Sequence, residues 1–145
     1  MEHELAKLCV WREARGESVE GIIAVCWVIR NRMEKYKKSS FDIVSSHNQF
    51  SSMTIHSDPQ VVMYPSKDDS KFEQISSAFD TVIGMPFKPF TNDSELNVSF
   101  MDHTERATFY RNVADSDSVW FNNAVRDGKL IETVQIGKHT FYKEV

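Results

Sequence analysis

Two glutamates, Glu13 and Glu17, are the residues whose type and spacing could do chemistry in the run Trp11-Arg12-Glu13-Ala14-Arg15-Gly16-Glu17-Ser18. Glu13 follows Cys9 by one helical turn, so on a helix it borders the apolar side rather than open water. Partial burial favours the protonated form of a carboxyl, and the negative end of a helix acts in the same sense. A carboxyl so placed suits general acid–base work, which needs a proton to give near neutral pH. Arg12 and Arg15 oppose this, and the competing reading is a surface ion pair between Glu13 and an arginine. Glu17 adds like-charge repulsion if it lies close. Otherwise it serves as an acidic residue at the start of the next helix.

The elements that must hold these groups follow from apolar spacing. Glu4 to Arg15 reads as a helix, with Leu5, Leu8, Cys9 and Arg12 along one side and Gly16 as its C-terminal cap. Ser18 is a fitting N-cap for a second helix from Val19 to about Lys37. There Ile22, Val25, Cys26, Ile29 and Met33 keep helical spacing. Ala24, Trp27 and Val28 widen the face, which predicts a central helix. Ser39 to Ser57 reads as loop with a short helical turn around Phe41 to Ser46. Asp58 to Ser66, with Pro59 and Pro65, reads as irregular. Lys71 to Ile83 predicts a third helix, ended by Gly84-Met85-Pro86, and Phe87 to Asp93 is turn-rich. Val98 to Met101 and Thr108 to Tyr110 read as short strands. Thr133 to Ile136, Gly137-Lys138 and His139 to Tyr142 predict a terminal β-hairpin. Helices first and short strands last describe an α+β, mainly helical domain with a small C-terminal β part.

The chain has 145 residues, the size of one domain, so a single domain over residues 1–145 is expected. A composition 41% hydrophobic and 26% charged is that of a globular protein with a core of its own. The net charge of −4 argues against a nucleic-acid partner. No apolar stretch reaches the length of a membrane span. The basic residues Arg30, Arg32, Lys35, Lys37 and Lys38 form the one local patch suited to an anionic surface. The five histidines show no paired ligand spacing such as His-Glu-x-x-His, so no metal or other cofactor is expected. Cys9 and Cys26 fall on apolar helix faces and read as buried thiols, with a bridge between the two helices as the alternative. The acidic start Met1-Glu2-His3-Glu4 does not look like a secretory signal.

Three blocks together resemble the SleB-type cell wall hydrolases, the catalytic domains of spore-cortex-lytic enzymes and of related bacterial and phage lysins. They are Glu13-Ala14-Arg15-Gly16-Glu17, Gln49-Phe50-Ser51 and Ile136-Gly137-Lys138-His139-Thr140-Phe141-Tyr142. The resemblance runs in separated blocks from Leu5 to Lys143. It implies a lysozyme-like, lytic-transglycosylase-like fold and cleavage of peptidoglycan glycan strands between N-acetylmuramic acid and N-acetylglucosamine, by a monomer. It implies that Glu13 is the catalytic acid and that Glu17 is a supporting or substrate-contacting group. Arg15 would order the site by pairing with a carboxylate. Val28-Ile29-Arg30-Asn31-Arg32 matches the family's helix end, where Asn31 and Arg32 would tie the helix to a loop. Gln49 and Ser51 would hydrogen-bond sugar, and Phe50 would offer a ring face. Phe109, Tyr110 and Asn112 would border the groove. Trp120 would stack on sugar or pack in the core, and His139 would be a site residue or a structural hairpin histidine.

This chain departs from the family pattern in three places. Arg12 replaces a small residue before the acid, and Ser18 stands where proline is common. Asp102-His103-Thr104-Glu105-Arg106 replaces a glycine-rich stretch. Two routes of cleavage are open. A lytic transglycosylase needs one glutamate. A hydrolytic muramidase wants a second carboxylate, with Asp102 and Glu105 as candidates. A non-catalytic wall-binding or virion structural protein is the reading from another class. A lone catalytic domain with no visible signal is expected to be phage-encoded, released through a membrane lesion or carried in the virion.

Overall fold

The computed structural model describes residues 3–46, 49–85, 100–114 and 117–145. Helix α1 runs Glu4–Ala14 and helix α2 runs Val19–Tyr36. Ser18 caps α2 by accepting the Gly21 N–H at 3.3 Å, as its type predicts. α2 is buried from Gly21 to Arg32 and touches α1, two later helices and the sheet. It is the central helix that its wide apolar face predicts.

Short helices α3, Ser40–Ser45, and α4, Ser51–Thr54, follow, then a 3-10 turn at Pro59–Val62. Helix α5, Ser70–Gly84, is capped by Asp69, whose Oδ1 accepts the Phe72 N–H at 2.9 Å. Ala6, Cys9 and Val10 of α1, Ile22, Val25 and Ile29 of α2, Val44, and Ile75, Phe79 and Val82 of α5 form the main core. Each large apolar side chain fully buried there contributes roughly 1.5–3 kcal/mol.

The last third holds strand β1, Phe109–Asn112, helix α6, Val119–Arg126, and strands β2, Leu130–Ile136, and β3, His139–Glu144. The sheet is antiparallel in the order β1-β3-β2. The predicted hairpin is present, turning at Gly137-Lys138, with a bulge between Glu132 and Val134. His139, Thr140, Phe141 and Tyr142 of β3 are all buried, because α2 covers one face and α6 the other. Ala24 and Val28 pack on Phe141, while Phe121 and Ala124 pack beside Tyr142.

Several expectations are corrected. Gly16 is not a left-handed cap, since its φ is not positive. α1 ends through Arg15 in the right-handed region, and the Glu17 N–H bonds to the Ala14 carbonyl at 2.9 Å. The stripe through Leu5 and Leu8 is only partly buried, whereas Lys7, Val10 and Trp11 are buried. Lys7 is tolerated because its ammonium reaches Asp80 at 3.0 Å. Phe100 and Met101 are not strand, and Val98 and Ser99 lie outside the described residues. Phe87 to Asp93 also lie outside them. The two cysteines are free and buried, and burial pushes both thiols up, so neither is poised to react. No helix among the described residues is long and apolar enough to cross a membrane.

Candidate active site

Glu13 stands one residue from the C-terminal end of α1 and is half-buried. Its Oε1 accepts a 2.6 Å hydrogen bond from the Tyr110 hydroxyl. β1 is an edge strand, and Tyr110 points to the same side as Phe141 and His139 because it pairs with Phe141 and Asn112 pairs with His139. The Tyr110 ring lies 4.7 Å from the His139 ring, 5.8 Å from Phe141 and 6.4 Å from Phe50, centroid to centroid. Burial first, and then the Glu13 charge, push the Tyr110 phenol well up, so it stays a donor.

Glu17 lies behind this group. Its Oε1 accepts the Lys138 N–H at 2.9 Å and approaches His139 Nδ1 to 3.4 Å. That second approach lacks hydrogen-bond geometry, and among the described residues Nδ1 has no hydrogen-bond partner. Burial lowers the His139 pKa, while Glu17 and then Glu13 oppose it. Gly137 in the turn has φ +59°, and a Cβ there would come within 3.1 Å of Glu17 Oε1. Glu17 thus clamps the hairpin turn against the α1–α2 junction.

These groups open onto a groove of about 860 Å³. Nine of the ten residues expected at a site line it: Glu13, Gln49, Phe50, Ser51, Phe109, Tyr110, Asn112, Trp120 and His139. Glu17 does not. Their exposures differ in a way that sorts their parts. Phe50 is 3% exposed and forms wall rather than a free ring face. Trp120 is 59% exposed on the first turn of α6, with its ring 5.5 Å from Phe109, so it stands on the rim rather than in the core. Ser51 donates to Asp58 at 2.6 Å, and Asn112 accepts the Ala114 N–H at 3.0 Å.

The arginines behave otherwise than expected. Among the described residues Arg15 pairs with no carboxylate. It donates to the carbonyls of Trp11 and Arg12 at 3.2 Å and stacks 4.2 Å over Trp11. Arg12 is buried, donates to Met63 and Ser52 carbonyls at 2.9 and 3.0 Å, and lies 4.8 Å over Tyr64. It staples α1 to the α4 region instead of pairing with Glu13. Among the described residues Glu13 has no ion pair, which removes the surface ion-pair reading.

Asn31 and Arg32 do tie α2 to the loop before β1. Asn31 Nδ2 donates to Asp102 and to the Ala107 carbonyl at 3.0 Å, and Arg32 Nε donates to the Thr108 carbonyl. Arg32 also lines the groove, as do Arg12, Arg111, Ser118 and Phe121, none of which was expected there. Ser118, the N-cap of α6, was the available signal for that wall. The candidate second carboxylates do not line it. Asp102 is engaged by Asn31, Thr104 and the Arg106 N–H, and Glu105 is exposed.

The arrangement suits acid–base work on a chain lying along an open groove with aromatic walls. A comparison with solved structures matches the crystal structure of the catalytic domain of the Bacillus cereus SleB protein, at a TM-score of 0.61 and 22% identity. The match covers 98% of this chain and 89% of that one. The model of the Cell Wall Hydrolase family matches residues 16–142, and the chain belongs to that family. Its general substrate is therefore the peptidoglycan of the cell wall. Glu13 stands just ahead of the matched span. No curated protein sequence matches the chain.

Proposed function

We propose that this protein cleaves the glycan strands of peptidoglycan as a lytic transglycosylase, between N-acetylmuramic acid and N-acetylglucosamine. The observation that carries the reading is the carboxylate inventory of the groove. Among the described residues lining it, Glu13 is the only carboxylate. One group must then serve as acid and as base.

In the first half of the reaction Glu13 protonates the glycosidic oxygen as the bond breaks, and an oxocarbenium-like sugar develops. The 2-acetamido group can assist from its own ring. Glu13, now ionised, takes the proton of the muramic 6-hydroxyl, and that oxygen closes a 1,6-anhydro ring. No water is consumed, so no second carboxylate is needed to hold one. Tyr110 orients Glu13 through its hydrogen bond and stabilises the negative charge that develops on Glu13 as the proton leaves. Phe109 and Trp120 offer ring surface for sugar, and Gln49 offers hydrogen bonds.

Hydrolysis by a muramidase mechanism is the second reading, and the positions of Asp102 and Glu105 outside the groove lining count against it. The test is release of soluble fragments from purified peptidoglycan by wild type and by Glu13→Gln. Release by wild type with loss in the variant supports the reading. No release by wild type from several wall types contradicts an enzymatic role and leaves a wall-binding or structural one.

A further inference from the structure

Among the described residues, Arg32 is a buried cation with no carboxylate partner. It is 4% exposed. Its guanidinium lies between two rings, 4.7 Å from the centroid of Phe50 and 4.7 Å from that of Phe109. Nε donates to the Thr108 carbonyl. Nη1 is enclosed with no hydrogen-bond partner, and no carboxylate pairs with Arg32 among the described residues. Burying a guanidinium this way is costly, and an apolar side chain would pack there at less cost. The bond from Nε ties α2 to the loop before β1, but it leaves Nη1 without a reason in the packing.

Its location supplies one. Arg32 lines the Glu13 groove and also a side cavity of about 300 Å³. The two spaces adjoin at Arg32, Gln49 and Phe109, and Lys38 and Ser46 line the side cavity beyond them. The space next to the reacting sugar is therefore cationic and aromatic. The sugar rings of a glycan strand carry no charge. Its carboxylates belong to the 3-O-lactyl arm of N-acetylmuramic acid and to the stem peptide built on that arm.

We infer that the side cavity receives the lactyl arm and the start of its peptide. Arg32 Nη1 donates to a carbonyl or carboxylate oxygen of the arm, and Lys38 pairs with a carboxylate farther out. Recognition of the muramic substituent would thus set which sugar sits beside Glu13. The inference rests on the glycan-strand reading above, and it specifies which part of the strand is read.

The experiment measures binding, so a failed cleavage assay and a failed cavity remain separate results. In a Glu13→Gln background, Kd is measured for three soluble strands: peptide-bearing, peptide-stripped, and stripped with the lactyl carboxylate reduced to the alcohol. Lys38→Glu and Ser46→Trp are each added to that background. Both leave the enclosed arginine untouched. Lys38→Glu is expected to raise Kd about fivefold or more, the loss of one partly exposed ion pair, and Ser46→Trp to raise it as much by filling the cavity. A loss confined to peptide-bearing strands makes the stem peptide the source of the anion. A loss shared by stripped, unreduced strands makes it the lactyl carboxylate. Unchanged Kd for every strand, or an equal loss on reduced strands with Lys38→Glu, overturns the inference.

Discussion

The Tyr110 hydroxyl donates to Glu13 Oε1 at 2.6 Å, across 97 residues of chain. This contact joins the C-terminal end of α1 to the edge strand β1, two elements that meet only because α2 lies against both. Tyr110→Phe keeps the ring among Phe50, His139 and Phe141 and removes only the donor. A hydrogen bond to a charged group contributes about 1.5–3 kcal/mol, so kcat should fall roughly ten- to hundredfold. KM should change little, because the substrate contacts remain. Steady-state kinetics on soluble strands reads this directly. An unchanged kcat would mean that Glu13 holds its position without Tyr110.

The Glu17 clamp makes a prediction about stability. Gly137→Ala meets two obstacles, a φ of +59° and a contact of 3.1 Å with Glu17 Oε1. The substitution should destabilise by about 1–2 kcal/mol, seen as a lower urea midpoint with an unchanged slope. In a Glu17→Ala background the contact is gone and the strained φ remains, so the penalty should shrink without vanishing. Equal penalties in both backgrounds would show that the clamp and the turn are independent.

His139 gives the pH dependence its sign. Burial favours the neutral ring, so the folded pKa lies below the ordinary value of 6.5. The unfolded chain then binds more protons than the folded one in the window below 6.5. The His139 contribution is fully present above that value and is lost as pH falls through the folded pKa. The Tm of wild type should fall with acidification in this window, and His139→Gln should flatten the fall. A slope that is the same in both proteins would contradict it.

The helical half of the fold is legible because its cues are local. Ser18 stops one helix from running into the next, and the apolar positions of α2 repeat over five turns. Glu13 and the hairpin block are legible as motifs, and the fold brings them together. α6 was not legible, because two turns with core positions only at Phe121 and Ala124 carry too little periodicity. Its cap, Ser118, was the one usable sign. The partners of Arg12, Arg15 and Arg32 are also beyond local reading. Each arginine answers to carbonyls or rings brought in from elsewhere by the fold, and spacing says nothing of those. The strand expected at Phe100 fails for a similar reason. The Phe100 carbonyl is taken by Trp27 Nε1 at 2.7 Å, a tertiary bond that no β-propensity anticipates.

The most direct test of the central claim is mass spectrometry of the soluble fragments released from purified peptidoglycan by wild type and by Glu13→Gln. The account predicts 1,6-anhydro-muramic ends from wild type and none from the variant. Reducing muramic ends from wild type, or a variant as active as wild type, would contradict it.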